Sequence, residues 1–155
     1  TVYLPRPGRG RRLEDCRKLA GKLGVLGRII LPGQISDLSD WYAAADICVS
    51  SSRYEGLPFN VMEGMYAGKP MVVTRVKGHT DLVTDGVGGF LYGWNDREEF
   101  CDCIRTLAGD EDLRRIMGEK NQVLVRQYGR QQVFSKVLEA MTTERTPAFE
   151  NDGIF

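Results

Sequence analysis

Two carboxylates, Glu55 and Glu63, stand with seven residues between them in the stretch SSRYEGLPFNVMEGMYAGKP, residues 51–70. The first falls in a Gly/Pro turn and the second inside a helical pattern. Pro58 suits a first helical turn, where its missing N–H costs nothing, and Gly68-Lys69-Pro70 is a helix stop. The spacing therefore predicts a short helix over 58–67, with Val61, Met62, Met65 and Tyr66 as its apolar face and the Phe59 side chain as core packing beside them. A turn that runs into a helix start gathers backbone N–H groups around an anion. Pro58 cannot donate, so the usable groups are those of Gly56, Leu57, Phe59 and Asn60. Glu63 lies five residues past Pro58, about 7 Å along the helix at ~1.5 Å per residue. That is a phosphate-to-ribose spacing, and a carboxylate accepts from two neighbouring hydroxyls at once. Glu55, on the other side of the turn, would face whatever hangs from the distal phosphate, and a sugar fits.

The elements that must position these groups follow the βα pattern of a mostly parallel sheet. VYL (2–4) reads as a strand, PRPGRG as a turn, and residues 11–23 as a helix with Leu13, Cys16, Leu19, Ala20 and Leu23 on one stripe, stopped by Gly24. RIIL (28–31) is a second strand, and SDLSDWYAAA a helix capped by Ser36 or Asp37. DICVS (46–50) is apolar enough for a strand buried on both faces, and PMVVT (70–74) is a core strand. A loop RVKGH, a short helix near TDLVT, a turn DGVGG, a strand FLY and helices near 96–108 and 110–141 complete the order. The end, TTERTPAFENDGIF, has no periodicity. The expected organisation is one domain over 1–141, incomplete at its N-terminus, and a tail over 142–155. The chain has no initiating Met and enters a strand almost at once, which reads as a fragment.

Composition narrows the partners. Among 155 residues, 21 Lys and Arg balance 21 Asp and Glu, so no bulk basic field draws the chain to nucleic acid. No apolar run reaches the ~20 residues of a membrane span, and no signal pattern opens the chain, which makes the cytoplasm the default location. Cys16, Cys48, Cys101 and Cys103 show no CxxC spacing and read as reduced thiols. His79 is the single histidine, expected at the surface of its loop, and no Cys/His cluster points to a metal. Two phosphate-binding motifs fail on inspection. PRPGRGRRL has Leu13 where a dinucleotide fingerprint needs its third glycine, and GMYAGKP has Pro70 where a P-loop needs Ser or Thr. Arg6, Arg9, Arg11 and Arg12 read as a solvated cluster, and Asp110, Glu111 and Asp112 as acids of a helix's first turn.

With its neighbours, EGLPFNVMEGMYAGKPMVVT resembles the retaining, GT-B-fold glycosyltransferases of the group 1 or family 4 type, specifically their C-terminal donor-binding domain. DICVSSSRYEGLP looks like the strand and loop before the first Glu, RVKGHTDLVTDGVGGFLY like the following glycine loop and strand, and GQISDLSDWYAAADI like the base-binding loop and helix. The resemblance covers residues 1 to about 140 and implies an α/β, Rossmann-like, mostly parallel sheet with flanking helices, the C-terminal half of a GT-B fold with its first βα unit missing. It also implies roles. Glu63 would bind the ribose hydroxyls, and Glu55 a hexose hydroxyl near the reacting carbon as the catalytic-site acid. Phe59 and Asn60 would hold the diphosphate by backbone N–H, with Gly56 and Leu57 near the sugar. Gln34, Ile35 and Asp37 match the loop that touches the base, while Lys77, Gly78 and Asp81 match a glycine-acid loop.

The reaction so implied moves a hexose from a nucleotide sugar, a UDP-sugar, to a saccharide or lipid-linked acceptor with retention and without a metal. The leaving diphosphate is stabilised by N–H groups and cations. KGHTDL looks most like enzymes of bacterial polysaccharide assembly. The basic residues that clamp the diphosphate in the family precede Thr1, as does the N-terminal acceptor domain, to which membrane association would belong. The isolated chain is therefore expected to bind donor poorly and transfer little. A non-catalytic nucleotide-sugar-binding module or fragment is the alternative. A receiver-like signalling domain ranks below it, because Asp46 starts its strand rather than ending it.

Overall fold

The structure is a computed structural model and describes residues 2–3, 11–33, 35 and 37–129. The chain divides into two compact units, Thr1–Asp46 and Ile47–Phe155. In the first, β1 (Val2–Tyr3) pairs in parallel with β2 (Ile29–Ile30), and α1 (Arg11–Lys22) lies between them in sequence. The predicted stripe of α1 is only partly inward: Ala20 is buried, whereas Leu19 and Leu23 are exposed. The helix ends by turning back on itself, with Val25 N–H donating to the Ala20 carbonyl at 3.0 Å. The helix α2 (Ser39–Ala44) begins later than expected, although Asp37 Oδ1 still takes the Ser39 N–H at 2.8 Å. Gln34, Ser36, the whole of the expected N-terminal turn and everything beyond Gly129, including the expected tail, lie outside the described residues.

The second unit is a three-stranded parallel sheet in the order β3 (Cys48–Ser50), β4 (Met71–Thr74), β5 (Gly89–Tyr92), with Cys48 opposite Met71 and Met71 opposite Gly89. Helix α3 (Phe59–Tyr66) links β3 to β4, and α4 (His79–Leu82) lies between β4 and β5. Helices α5 (Arg97–Gly109) and α6 (Glu111–Val125) follow. Every residue of β4 is buried because the sheet is covered on both sides. Met71 and Val73 pack with Val61, Met65, Leu82, Val83, Leu91 and Val125. Val72 packs on the other face with Tyr92, Leu107 and Met117. Each such side chain contributes roughly 1.5–3 kcal/mol by leaving water, so β4 anchors the unit.

Three apolar expectations need correction. Val49 on β3 is 44% exposed rather than buried, and on that face of the sheet α5 packs chiefly against β4 and β5. On α3, Tyr66 and Phe59 point outward at 75% and 68% exposure, and the inward stripe is Val61, Gly64 and Met65. Gly64 belongs to it because the α3 backbone sits against Cys48 and Met71, where a Cβ would stand only 3.1–3.3 Å from their side chains.

Caps and edges are built from charged side chains. Asp96 starts α5 by accepting from Glu99 N–H at 2.9 Å, and Asp110 starts α6 by accepting from Leu113 N–H at 2.8 Å. Strand β5 is the outer strand of its sheet, yet Leu91 N–H donates to Asp85 Oδ1 (2.9 Å) and its carbonyl accepts from Arg75 Nη2 (2.7 Å). Arg75 also reaches Asp85 and Glu99, each at 3.4 Å. The backbone groups that could recruit another strand are thus occupied by an ionic cluster.

Candidate functional site

Three loops leave the carboxyl ends of β3, β4 and β5, and parallel α/β sheets bind ligands at that edge. In this unit the loops are tied together. Thr74, the last residue of β4, donates its hydroxyl to the Ser52 carbonyl at 2.6 Å. Ser51 hydrogen-bonds Tyr92 at the end of β5, whose phenol is pushed up chiefly by burial. Arg53 lies over the Trp94 ring at 4.4 Å, a contact worth roughly 0.5–1 kcal/mol at an exposed position.

The loop after β4 closes onto the acid loop. Gly78 has φ +89° and ψ −51°, and a Cβ there would stand 2.7 Å from the Gly56 carbonyl oxygen and 2.9 Å from both Cβ and O of Glu55. Glu55 and Gly78, brought together here, are 23 residues apart in sequence. Glu55 is half-buried by this packing. Pro58 is the N-cap of α3 rather than part of its first turn, and its carbonyl accepts from Val61 and Met62. The amides of Phe59 and Asn60 therefore open the helix. Glu63 is on the exposed side of α3, in its second turn, and Glu55 lies in the turn that precedes the helix.

Lys77 and Asp81 form an ion pair at 3.0 Å, and Asp81 Oδ2 also accepts from Gly78 N–H at 3.3 Å. The Lys77 hydrogen bond is the main reason the Asp81 carboxyl sits below its ordinary range. This acid serves the start of α4 and shapes the Gly78 turn. Ile35 and Asp37 belong to the first unit. The Asp37 carboxyl is held below its usual range by the Ser39 hydroxyl (2.7 Å) and then by the Ser39 N–H.

His79 overturns its expected place. It is fully buried, with Nδ1 2.9 Å from the Thr74 carbonyl and 3.0 Å from Thr74 Oγ1. Its Nε2 meets no donor among the described residues, and an unpaired buried polar atom costs roughly 1–3 kcal/mol. Thr74, Ser52, Arg53 and Trp94 were not legible as site residues, because their partners are distant in sequence; only the threonine closing an apolar strand hinted at one of them. Among the described residues, no group of three or more His, Cys, Asp or Glu side chains could hold a metal ion. No described helix is long and apolar enough to cross a membrane.

Residues 7–110 match the family of glycosyl transferases group 1. The lipopolysaccharide core biosynthesis glycosyltransferase LpsE of Rhizobium meliloti (strain 1021) is 32% identical over 144 residues, 92% of this chain and 42% of that protein. A D-inositol 3-phosphate glycosyltransferase of Kribbella flavida is 34% identical over 68% of this chain and 26% of its own length. The chain thus spans less than half the length of these curated relatives. Among solved structures, Anabaena HepE in complex with UDP-glucose superposes with a TM-score of 0.80 at 23% identity, covering 88% of this chain and 38% of HepE. Sucrose-phosphate synthase from Thermosynechococcus elongatus gives 0.76 at 23% identity, over 91% of this chain and 37% of the synthase. At that identity the likeness is one of fold, the α/β parallel-sheet fold expected of a GT-B glycosyltransferase. Matched over more than half its length, the chain belongs to the glycosyl transferases group 1 family.

Proposed function

We propose that the chain is the C-terminal, donor-binding domain of a retaining hexosyltransferase that takes a UDP-sugar and passes its hexose to a saccharide or lipid-linked acceptor. One observation carries the reading: the Glu55–Gly56 loop is seated on Gly78 at the carboxyl edge of the sheet and runs straight into the α3 N-terminus, with Glu63 one turn further on. The diphosphate sits at the amides of Gly56, Leu57, Phe59 and Asn60, where the helix dipole favours negative charge. Glu63 accepts from the ribose diol, and Glu55 accepts from a hexose hydroxyl beside the reacting carbon. Bond cleavage is helped by amides aimed at the charge that develops on the leaving diphosphate, with no metal taking part. The UDP-glucose complex of HepE and the polysaccharide-assembly role in the name of LpsE support the donor class and the pathway type.

The test is an NMR titration of the chain with UDP and with UDP-glucose, which reads weak binding directly. Shifts are expected to concentrate at the amides of 56, 57, 59 and 60, and Glu63→Ala should weaken UDP roughly tenfold by removing a charged hydrogen-bond acceptor. Equal UDP affinity for variant and wild type removes the ribose role. Transfer is then measured with an N-terminal acceptor half supplied in trans.

A further inference from the structure

Ser51 and Arg53 tie the start of the acid loop to Tyr92 and Trp94, while Tyr54 points outward and Glu55 itself is only half-buried. The remaining support comes from β4 and α4. The proton count there is closed by chemistry. The Thr74 carbonyl can only accept, so His79 Nδ1, 2.9 Å away, must carry a proton. The Ser52 carbonyl likewise can only accept, so the Thr74 hydroxyl proton lies on the 2.6 Å line to Ser52. Thr74 Oγ1, 3.0 Å from Nδ1, then offers its lone pair to the same imidazole N–H. Nδ1 is thus the donating ring nitrogen, and Nε2 has no partner among the described residues. A leucine would fill this fully buried position without leaving Nε2 orphaned, so the ring is kept for its N–H.

We propose that Thr74 and His79 are positioning residues for Glu55. His79 denies the Thr74 hydroxyl any other acceptor and so commits its proton to Ser52, three residues before Glu55, while neighbouring Gly78 seats the far side of the same loop against Glu55 and Gly56. The loop is clamped on both flanks of the acid by one β4–α4 segment that is itself buried from Met71 to Thr74. The consequence for chemistry is selective. Glu63 and the amides of Phe59 and Asn60 stand on α3 outside the clamped segment, so most of the nucleotide binding survives loss of the Thr74–Ser52 bond even where the Gly56 and Leu57 amides loosen, whereas recognition of the sugar by Glu55 does not. This consequence rests on the donor reading above; the clamp itself does not.

The experiment separates the two. Thr74→Val keeps the shape and removes the hydroxyl, and Thr74→Ser restores it. In the unliganded chain, Thr74→Val should speed amide hydrogen exchange at residues 53–56 by about tenfold, with exchange in α6 changed by less than about twofold and with Thr74→Ser close to wild type. Unchanged exchange at 53–56, or an equal rise throughout the unit, overturns the proposal. In the titration, Thr74→Val should erase any preference for UDP-glucose over UDP while leaving UDP affinity within about threefold. A retained preference also overturns it. A wild-type chain that binds neither ligand refutes the donor reading, and the clamp is then decided by exchange. His79→Asn, whose amide N–H can stand where Nδ1–H stood, should track Thr74→Ser, and His79→Leu should track Thr74→Val.

Discussion

Replacing Gly78 with alanine tests the contact on which the site depends. The added Cβ meets strain and collision together. With φ +89° and ψ −51°, Gly78 lies in a region where a side chain costs roughly 1–3 kcal/mol. The Cβ would also stand 2.7 Å from the Gly56 oxygen and 2.9 Å from Glu55 Cβ and O, where ordinary contact begins at 3.4 Å. Two of these three atoms are backbone and cannot rotate aside, so the acid loop must retreat by about half an ångström or more, at a further cost of order 1 kcal/mol. The expected loss of stability is about 2–4 kcal/mol. Gly109 is the control, because a Cβ there meets nothing within 4 Å; Gly109→Ala should be neutral or slightly stabilising, by up to ~1 kcal/mol. Urea unfolding measures both, and amide shifts show where Gly78→Ala acts, which should be Glu55–Leu57 as well as the substituted turn. A Gly78→Ala chain as stable as Gly109→Ala, with shifts confined to 77–80, would refute the claim that this glycine seats the acid loop.

Two further outcomes follow from buried groups. Asn121 on α6 is fully buried and donates Nδ2–H to the carbonyls of Lys69 (2.8 Å) and Gly88 (2.5 Å). Asn121→Ala should cost about 2–4 kcal/mol through two lost hydrogen bonds and a small cavity, read as a lower urea midpoint; a loss under ~0.5 kcal/mol contradicts it. Burial pushes the Cys48 thiol up from 9.0 to about 11, against a smaller opposing effect of Lys69. The unfolded chain ionises this thiol first, so the contribution is intact below pH 9 and is lost as pH rises to about 11, by roughly 2–3 kcal/mol. Comparing the urea midpoints of wild type and Cys48→Ala across that window checks the sign: the wild type alone should carry this loss.

Local patterns made most elements of the second unit legible, because each signal there is confined to one segment. Met71–Thr74 is a run of apolar residues ending in threonine, Asp96 and Asp110 precede helical periods, and Pro58 and Gly68 bracket α3. What escaped depends on contacts across the chain. His79 has the composition of a surface turn, and only the Thr74 carbonyl and hydroxyl explain its burial. The Thr74–Ser52 bond spans 22 residues and the Asn121–Lys69 bond 52, and neither leaves a periodic trace. Phe59 and Tyr66 were read inward by hydrophobicity alone. The close approach of α3 to Cys48 and Met71 instead makes Gly64 the inward residue and rotates both aromatics out. The placement of Glu55 in a turn and of Glu63 on the helix after it was legible because it depends on one turn and one helix. The loop that supports Glu55 was legible only as a glycine beside an acid.

The same reasoning explains why the site's stiffness should originate in β4. Near its amino end, the carbonyls of Lys69 and Gly88 are held by Asn121, and the Gly88 carbonyl also takes the Met71 N–H at 3.1 Å. At its carboxyl end, Thr74 holds Ser52 and is held by His79. Between these two polar knots the strand has no exposed residue, so it cannot yield at one end without disturbing a core packed on both faces. A loop tied to such a strand inherits its order, and that is what lets a solvent-facing acid turn keep a defined position before any ligand arrives. The cost is two unpaired buried atoms, His79 Nε2 and Asn121 Oδ1, and one glycine with a strained backbone, which adjoins His79 in the chain. Strain and an unsatisfied polar atom in the same short segment are what a binding site retains when placement matters more than stability.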